Sequence, residues 1–141
     1  FNKGLRGFAS SEAAEPPKVL KTLPIIRHFV GYAGPETTRF AFNARVNELD
    51  LHLTYLPAWR RLVRARAMAS AMSAISALNG VPGIAHASML TRVLRDEWGF
   101  DGYVMSDCDT FPALRDIWDW TGSDEQAAAS ALLAGGDLGC G

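Results

Sequence analysis

Short apolar runs that alternate with helix-like segments are the feature of this 141-residue sequence that most constrains its fold. These runs, at residues 23–30, 69–75 and 103–105, do not alternate regularly between apolar and polar side chains. Such runs are typical of strands buried on both faces of a parallel sheet, and their alternation with helices predicts an α/β fold. The two candidates are a doubly wound sheet and part of a (β/α)₈ barrel. A full barrel takes roughly 250 residues, so this chain could supply about half of one.

Local signals place the helices and turns between these strands. Helix N-terminal caps are predicted at Asn47, Ser88 and Ser123, and Pro57 is expected at the first position of another helix, where its missing N–H costs nothing. Residues 79–83 form a cluster that predicts a turn.

Composition and charge exclude several classes of protein. The chain is 48% hydrophobic and 21% charged, with a formal net charge of −1, which is typical of one soluble globular unit. It has no Lys/Arg run that would indicate a nucleic-acid partner, and no apolar stretch of the roughly 20 residues that a membrane span needs. Its first and last residues give the expectation of a chain cut at both ends. Cys108 and Cys140 are predicted to be free, half-buried thiols.

Polar residues come at the ends of the predicted strands. Arg27–His28 end the first, Ser73 and Ser76 the second, and residues 106–109 the third, while Asp137 lies near a fourth. Because active residues of parallel α/β folds gather at the carboxyl ends of the strands, we expect a site there.

Each of these residues also has a purely structural interpretation. Asp109 is expected to cap the following helix, Asp107 could be a buried structural carboxylate, and His28 could be a satisfied core histidine. Arg39 could be only a solvated charge. Arg27 differs, because a cation at an apolar strand end needs a partner or a ligand.

The D-x-D sequence at residues 107–109 is compatible with three chemistries. A haloacid-dehalogenase-type phosphatase uses such a motif to attack phosphorus and bind Mg²⁺, but its threonine normally falls two residues after the second aspartate, whereas Thr110 follows at once. A nucleotide-sugar transferase uses a D-x-D metal site, a motif short enough to occur often by chance. A retaining glycosidase uses one carboxylate as nucleophile and another as acid and then base.

Several motifs, taken together, resemble the catalytic barrel domain of glycoside hydrolase family 3. Residues 1–7 are similar to the family's Y-V-x-G-L-Q-G, residues 27–32 to its K-H-F-x-x-Y, and residues 102–107 to its G-[FY]-V-x-S-D. Residues 79–82 and 90–102 are similar to its N-G-x-P and L-L-T-x-x-L-R-x-x-W-x-F-x-G. The order and spacing of these motifs, which cover nearly the whole chain, are much more specific than any single one.

The resemblance implies a fold and a branch of the family. It implies a partial TIM (β/α)₈ barrel, roughly the second half, with residues 1–141 forming a catalytic domain truncated at both ends. The motifs at residues 39–44, 106–109 and 134–141 (R-F-x-F-N-A, S-D-C-D and A-G-x-D-x-x-C-G) are similar to the β-xylosidase and α-arabinofuranosidase branch. β-Glucosidases of the family usually carry Trp at the position of Cys108.

The resemblance also implies roles for individual residues. Asp107 corresponds to the nucleophile, and Arg27, His28, Arg39 and Cys108 correspond to residues that bind the sugar. A nearby cation such as Arg27 would favour the ionised form of the nucleophile.

Two residues depart from the family pattern. Arg27 replaces a lysine, so a planar fork stands in place of a flexible point charge. Ile75 stands where the family has a tyrosine near the nucleophile, and it has no hydroxyl to orient Asp107.

The expected function is that of a retaining exo-β-glycosidase, most similar to β-xylosidases, acting on an oligosaccharide or glycoside without metal or cofactor. The resemblance implies that the acid/base glutamate comes from a second domain, so we expect the isolated chain to be inactive, and it suggests a secreted or extracellular location. The alternatives are a β-glucosidase of the same family, a non-catalytic carbohydrate-binding or structural remnant, and an Mg²⁺-dependent D-x-D phosphatase.

Overall fold

The structure is a computed structural model that describes residues 1–10, 12–13, 15–32 and 34–140. Residues 11, 14, 33 and 141 lie outside these ranges, so the last residue of the predicted motif at residues 134–141 is not described.

In the part of the chain that the structure describes, seven strands form two sheets. The strands are β1 (Ile25–Phe29), β2 (Asn43–Ala44), β3 (Ser70–Ser73), β4 (Ala77–Leu78), β5 (Val81–Pro82), β6 (Tyr103–Cys108) and β7 (Leu138–Cys140). The larger sheet has the spatial order β1-β3-β6-β7 and is parallel throughout. The smaller sheet has the order β2-β4-β5.

Helices fill the connections between the strands of the larger sheet. The α-helices are α1 (Asn2–Arg6), α2 (Glu48–Asp50), α3 (Pro57–Arg64), α4 (Thr110–Asp116) and α5 (Asp124–Ala134). Residues Glu36–Ala41 and Gly83–Ala85 form 3₁₀ helices, and Leu51–Tyr55 and Ser88–Glu97 are π-helical. Within the described part of the chain, no helix is both long and apolar enough to cross a membrane.

The strand order identifies the larger sheet as part of a (β/α)₈ barrel. Its four strands lie side by side in the order in which they occur in the sequence, and helices lie in each connection. A doubly wound sheet instead reverses its strand order at a switch point. The predicted partial barrel is therefore confirmed.

The core lies between this sheet and the helices that cover it. The ring of Phe29 on β1 packs edge-to-face on Trp59 and Trp98, with centroids 5.0 and 6.3 Å away. Val104 on β6 and Leu90 on the helix Ser88–Glu97 are fully buried beside them. Burying each such apolar side chain contributes about 1.5–3 kcal/mol, which holds β1 and β6 in fixed relative positions.

The small sheet is fixed by the predicted turn. Asn79 and Gly80 both have positive φ, 52° and 88°, as a two-residue hairpin between β4 and β5 requires. The Asn79 side chain accepts a hydrogen bond from the Val46 N–H and donates one to the Val46 carbonyl, at 2.9 and 2.8 Å. Asn43 accepts a hydrogen bond from the Gly80 N–H at 2.8 Å. These bonds anchor the segment that follows the 3₁₀ helix Glu36–Ala41.

Three of the four predicted helix starts are confirmed. Asn47 accepts a hydrogen bond from the Asp50 N–H, Ser123 accepts one from the Gln126 N–H, and Pro57 occupies the first turn of α3. The predicted cap at Ser88 is wrong, because Ser88 is already the first residue of its helix and its hydroxyl contacts His86 instead.

Candidate active site

The carboxyl end of β6 places one buried carboxylate at the edge of the larger sheet. β6 extends to Cys108, further than the predicted strand, and its side chains alternate between its two faces. Asp107 is only 3% exposed. A buried carboxylate needs a counter-charge or hydrogen-bond donors, and the surrounding elements supply both.

Two cationic or titratable side chains converge on the same oxygen of Asp107. Arg39, on the 3₁₀ helix Glu36–Ala41, donates from Nη2 to Asp107 Oδ2 at 2.7 Å. His28, near the carboxyl end of β1, places Nε2 3.3 Å from the same oxygen, without the geometry of a hydrogen bond. The structure therefore brings together the side chains of Asp107, Arg39 and His28, three of the five residues predicted for the site.

The other oxygen of Asp107 is held by the backbone. The Cys108 N–H donates to Asp107 Oδ1 at 2.9 Å, and the Thr110 hydroxyl donates to the Asp107 carbonyl at 2.6 Å. Both carboxylate oxygens thus have donors, and the carboxylate is fixed in one orientation relative to β6.

The surroundings of Asp107 shift the pKa values of His28 and Arg39 in opposite directions. Burial is the largest cause that lowers the pKa of His28, the charges of Arg27 and Arg39 lower it further, and Asp107 raises it. Hydrogen bonding to Asp107 is the largest cause that raises the pKa of Arg39. The arrangement accordingly favours a neutral imidazole and a permanently charged guanidinium beside the carboxylate.

The structure assigns the counter-charge to Arg39 instead of Arg27. The Arg27 side chain is exposed and forms no ion pair with any residue that the structure describes. Arg27 is therefore not the ion-pair partner of Asp107. Arg27 acts on the site through its charge, which lowers the pKa of His28.

The prediction of two free thiols is wrong. Cys108 and Cys140 form a disulfide, and they are paired residues at the adjacent ends of β6 and β7. Cys108 is exposed at the site next to Asp107, so the group that it presents there is a disulfide sulfur instead of a thiol.

Two other predicted acidic residues lie elsewhere. Asp109 occupies the N-cap position of α4 with φ 61°, but its side chain makes no capping hydrogen bond, so that part of the prediction is wrong. Asp137 precedes β7 at the amino end of the sheet, where it pairs with Arg95 and accepts a hydrogen bond from the Val104 N–H at 2.7 Å. It therefore belongs to the opposite end of the sheet from Asp107.

Besides Thr110, sequence reasoning missed two residues that contact the site residues. Glu36 accepts a second hydrogen bond from Arg39, at 3.3 Å, and Cys140 is bonded to Cys108. The spacing of Glu36 and Arg39, three residues apart in the sequence, is a signal that could have found the first. Among the described residues, no group of three or more His, Cys, Asp or Glu side chains is placed to hold a metal ion.

Comparison with known proteins identifies one family for this chain. Residues 1–139 match the family model described as glycosyl hydrolase family 3 N terminal domain. The chain is 33% identical over 144 aligned positions to probable beta-D-xylosidase 7 of Arabidopsis thaliana, an alignment that covers 100% of this chain and 19% of that protein.

Two solved structures resemble the chain over most of its length. A GH3 exo-beta-xylosidase (XlnD), in complex with a xylobiose aziridine activity-based probe, has a TM-score of 0.79 and 29% identity over 89% of this chain and 17% of its own. A β-glucosidase from Erythrobacter marinus has a TM-score of 0.81 and 29% identity over 99% of this chain and 18% of its own. The chain spans about a fifth of the length of these relatives.

Proposed function

Because this chain belongs to glycosyl hydrolase family 3, we propose that the protein containing it is a retaining exo-β-glycosidase that releases terminal xylose from xylo-oligosaccharides, with Asp107 as its nucleophile. The observation that carries the proposal is the buried Asp107 carboxylate at the end of β6, with Arg39 and His28 2.7 and 3.3 Å from one of its oxygens.

Asp107 supplies the covalent step of this mechanism. One of its carboxylate oxygens forms a bond to the anomeric carbon while the bond from that carbon to the leaving-group oxygen breaks, and a carboxylic acid donates a proton to that oxygen. Water then attacks the anomeric carbon, gives its proton to the same acid/base group, and releases the Asp107 carboxylate. We propose that the acid/base residue lies in a part of the protein outside this chain.

Arg39 and His28 have a role that follows from their position. Arg39 is the ion-pair partner of the nucleophile before the reaction, and its hydrogen bond holds the Asp107 carboxylate in place. Both side chains can donate hydrogen bonds to sugar hydroxyls, and such bonds accelerate the reaction where they strengthen as oxocarbenium character develops. Arg27 and Cys108, at the same strand ends, are proposed to contact the sugar as well.

The proposal of xylose is supported by residues beside the nucleophile. Cys108 follows Asp107, and β-glucosidases of the family usually have Trp there. The similarity to the Arabidopsis xylosidase points the same way. A β-glucosidase is the second candidate, because the Erythrobacter β-glucosidase matches the fold as well as the xylosidase does. The ratio of kcat/KM for aryl β-xyloside to that for aryl β-glucoside decides between them.

The nucleophile is tested by covalent labelling of the full-length protein. An aziridine activity-based probe with a xylose unit is expected to add its mass to the peptide that contains Asp107. Asp107→Asn should abolish labelling and lower kcat on the order of 10³-fold or more. Asp109→Asn is the matched control, since Asp109 is exposed two residues away, and it should retain labelling.

Three outcomes would contradict this proposal. Labelling at a different carboxylate would assign the nucleophile elsewhere. Calorimetry that detected Mg²⁺ bound at Asp107 and Asp109 would favour the phosphatase hypothesis. Saturable xylo-oligosaccharide binding without labelling or turnover would favour the non-catalytic alternative, for which the buried, hydroxyl-free Ile75 is the supporting observation.

A further inference from the structure

We propose that Cys140 is a positioning residue for the nucleophile, and that the catalytic rate therefore depends on the redox state of the Cys108–Cys140 disulfide. This inference rests on the proposed function of Asp107. Cys140 acts on Asp107 indirectly, through Ser106 and Cys108, which precede and follow Asp107 in the sequence.

Cys140 is connected to both sequence neighbours of Asp107. Its sulfur is bonded to Cys108, the residue after the nucleophile. Its backbone N–H donates to the hydroxyl of Ser106, the residue before the nucleophile, at 3.0 Å. Ser106 is fully buried, so losing this partly buried hydrogen bond would leave its hydroxyl without that partner.

The connection through Cys108 reaches the carboxylate itself. The Cys108 N–H donates to Asp107 Oδ1, so a displacement of the Cys108 backbone moves a donor of the nucleophile as well as the strand end that carries it. Arg39 and His28, which face Oδ2, come from β1 and the segment after it, on the opposite side of β6 from β7. The position of Asp107 relative to them thus depends on how firmly β7 holds the end of β6.

Regular backbone pairing holds this end of β6 weakly. The register between β6 and β7 shifts between Met105 and Cys108, and Asp109 leaves the strand with a left-handed φ of 61°. An irregular ladder leaves fewer strand-to-strand hydrogen bonds at the bulge. The disulfide supplies a covalent connection at the point where the pairing is irregular.

The disulfide is also placed where a reductant can reach it. Cys108 is exposed and Cys140 is partly exposed. A dithiol such as dithiothreitol would transfer two electrons and two protons, converting the disulfide to two thiols and itself to a cyclic disulfide. Reduction breaks the S–S bond without substituting any residue of the site.

The test uses the full-length protein and its Cys140→Ser variant. Active sites are counted by covalent labelling with the xylose aziridine probe, and kcat and KM are measured for an aryl β-xyloside. Cys140→Ser is expected to lower kcat per labelled site roughly tenfold or more, because a displacement of about 1 Å at a catalytic group can cost about 10²-fold. KM should change by a smaller factor than kcat, because Arg27, His28 and Arg39 remain and only the sugar contact of Cys108 is altered.

Reduction and reoxidation supply the second measurement. Dithiothreitol should lower kcat of the wild-type protein to that of the variant, and removal of the reductant with reoxidation should restore it. Cys140→Ser should not respond to dithiothreitol.

The outcomes separate this inference from the proposed function. A variant with fewer labelled sites but an unchanged kcat per site would overturn the inference, since it would show a role in folding alone. A wild-type protein whose kcat is insensitive to complete reduction would also overturn it. If the wild-type protein is not labelled at Asp107, the proposed function itself fails.

Discussion

Asp107 and Asp109 are two residues apart, yet the backbone gives them different surroundings. Asp107 is in the strand, with both oxygens supplied with donors, whereas Asp109 has a left-handed φ and an exposed side chain. The D-x-D sequence alone left both residues open to a shared metal site. The difference arises from a single change in backbone conformation at the end of β6, which composition and spacing do not encode.

Arg39 is expected to contribute more to catalysis than any surface arginine of this chain. Arg39→Ala removes a hydrogen bond of 2.7 Å to a buried carboxylate and leaves that charge without its counter-ion. Breaking such a pair costs about 3–5 kcal/mol of folding stability. Because Arg39 also contacts the proposed nucleophile, kcat/KM should fall about 10²-fold or more in the full-length protein.

Arg60→Ala is the matched control for Arg39→Ala. Arg60 is exposed and has no ion-pair partner within the described part of the chain, so kcat/KM should stay within about twofold of wild type. Equal losses in the two variants would show that Arg39 has no specific role at the site.

Folding stability is expected to fall as the pH decreases through about 6.5, the ordinary pKa of histidine. Burial is the largest cause that lowers the pKa of both His28 and His86. Below pH 6.5 these two histidines are therefore more protonated in the unfolded chain than in the folded chain. Lowering the pH through this window stabilises the unfolded state and lowers the free energy of unfolding.

Chemical denaturation between pH 5 and pH 8 measures this dependence. His86→Gln should flatten the decline, because it removes one of the two imidazoles whose pKa is lowered by burial. A His86→Gln curve parallel to that of the wild type would contradict the prediction.

At the scale of single elements, helix starts were predictable where the backbone before the helix is extended. Asn47 and Ser123 have extended φ and ψ, so their side chains can turn back to an N–H in the first turn. Ala87, which precedes Ser88, is already helical, so the extended backbone that an N-cap residue requires is not present before this helix. The sequence pattern shows that a serine is present, but it does not show the backbone conformation before it.

The 3₁₀ helix after β5 is expected to tolerate only glycine at position 83. A Cβ at Gly83 would lie 2.2 Å from the carbonyl oxygen of Ala74, in the segment between β3 and β4. The backbone cannot move aside without disturbing the Gly83 N–H bond to the Ser76 carbonyl at 3.0 Å. Gly83→Ala should therefore lower the free energy of unfolding by about 1–3 kcal/mol.

Gly4→Ala is the matched control for Gly83→Ala. Gly4 lies in α1, and a Cβ there would meet nothing within 4 Å. Because alanine favours a helix over glycine, Gly4→Ala should raise the free energy of unfolding by up to about 1 kcal/mol. The same sign of change in both variants would contradict the steric explanation.

At the scale of the whole molecule, the alternation of strands and helices predicted a parallel α/β sheet, and the family resemblance selected the barrel over a doubly wound sheet. It did not predict the disulfide, because Cys108 and Cys140 are 32 residues apart and become neighbours only through the pairing of β6 with β7. The contact between Arg39 and Asp107, 68 residues apart, likewise depends on where the segment after β1 folds over the sheet. Contacts between distant elements can therefore be identified only in the assembled sheet, whereas the individual strands and helices can be predicted from the sequence.

The larger sheet, as far as the structure describes it, has two edge strands, β1 and β7. Leu138 on β7 is 53% exposed, and an apolar edge strand is a template for pairing with another chain. We expect residues 1–141, expressed alone, to self-associate.

Leu138→Lys should lower the associated fraction, measured by size-exclusion chromatography with light scattering, because a charge opposes edge-to-edge pairing. Leu53→Lys, at a 68% exposed position outside the strands, should not. Equal reductions by both variants would assign the association to general surface hydrophobicity instead of the β7 edge.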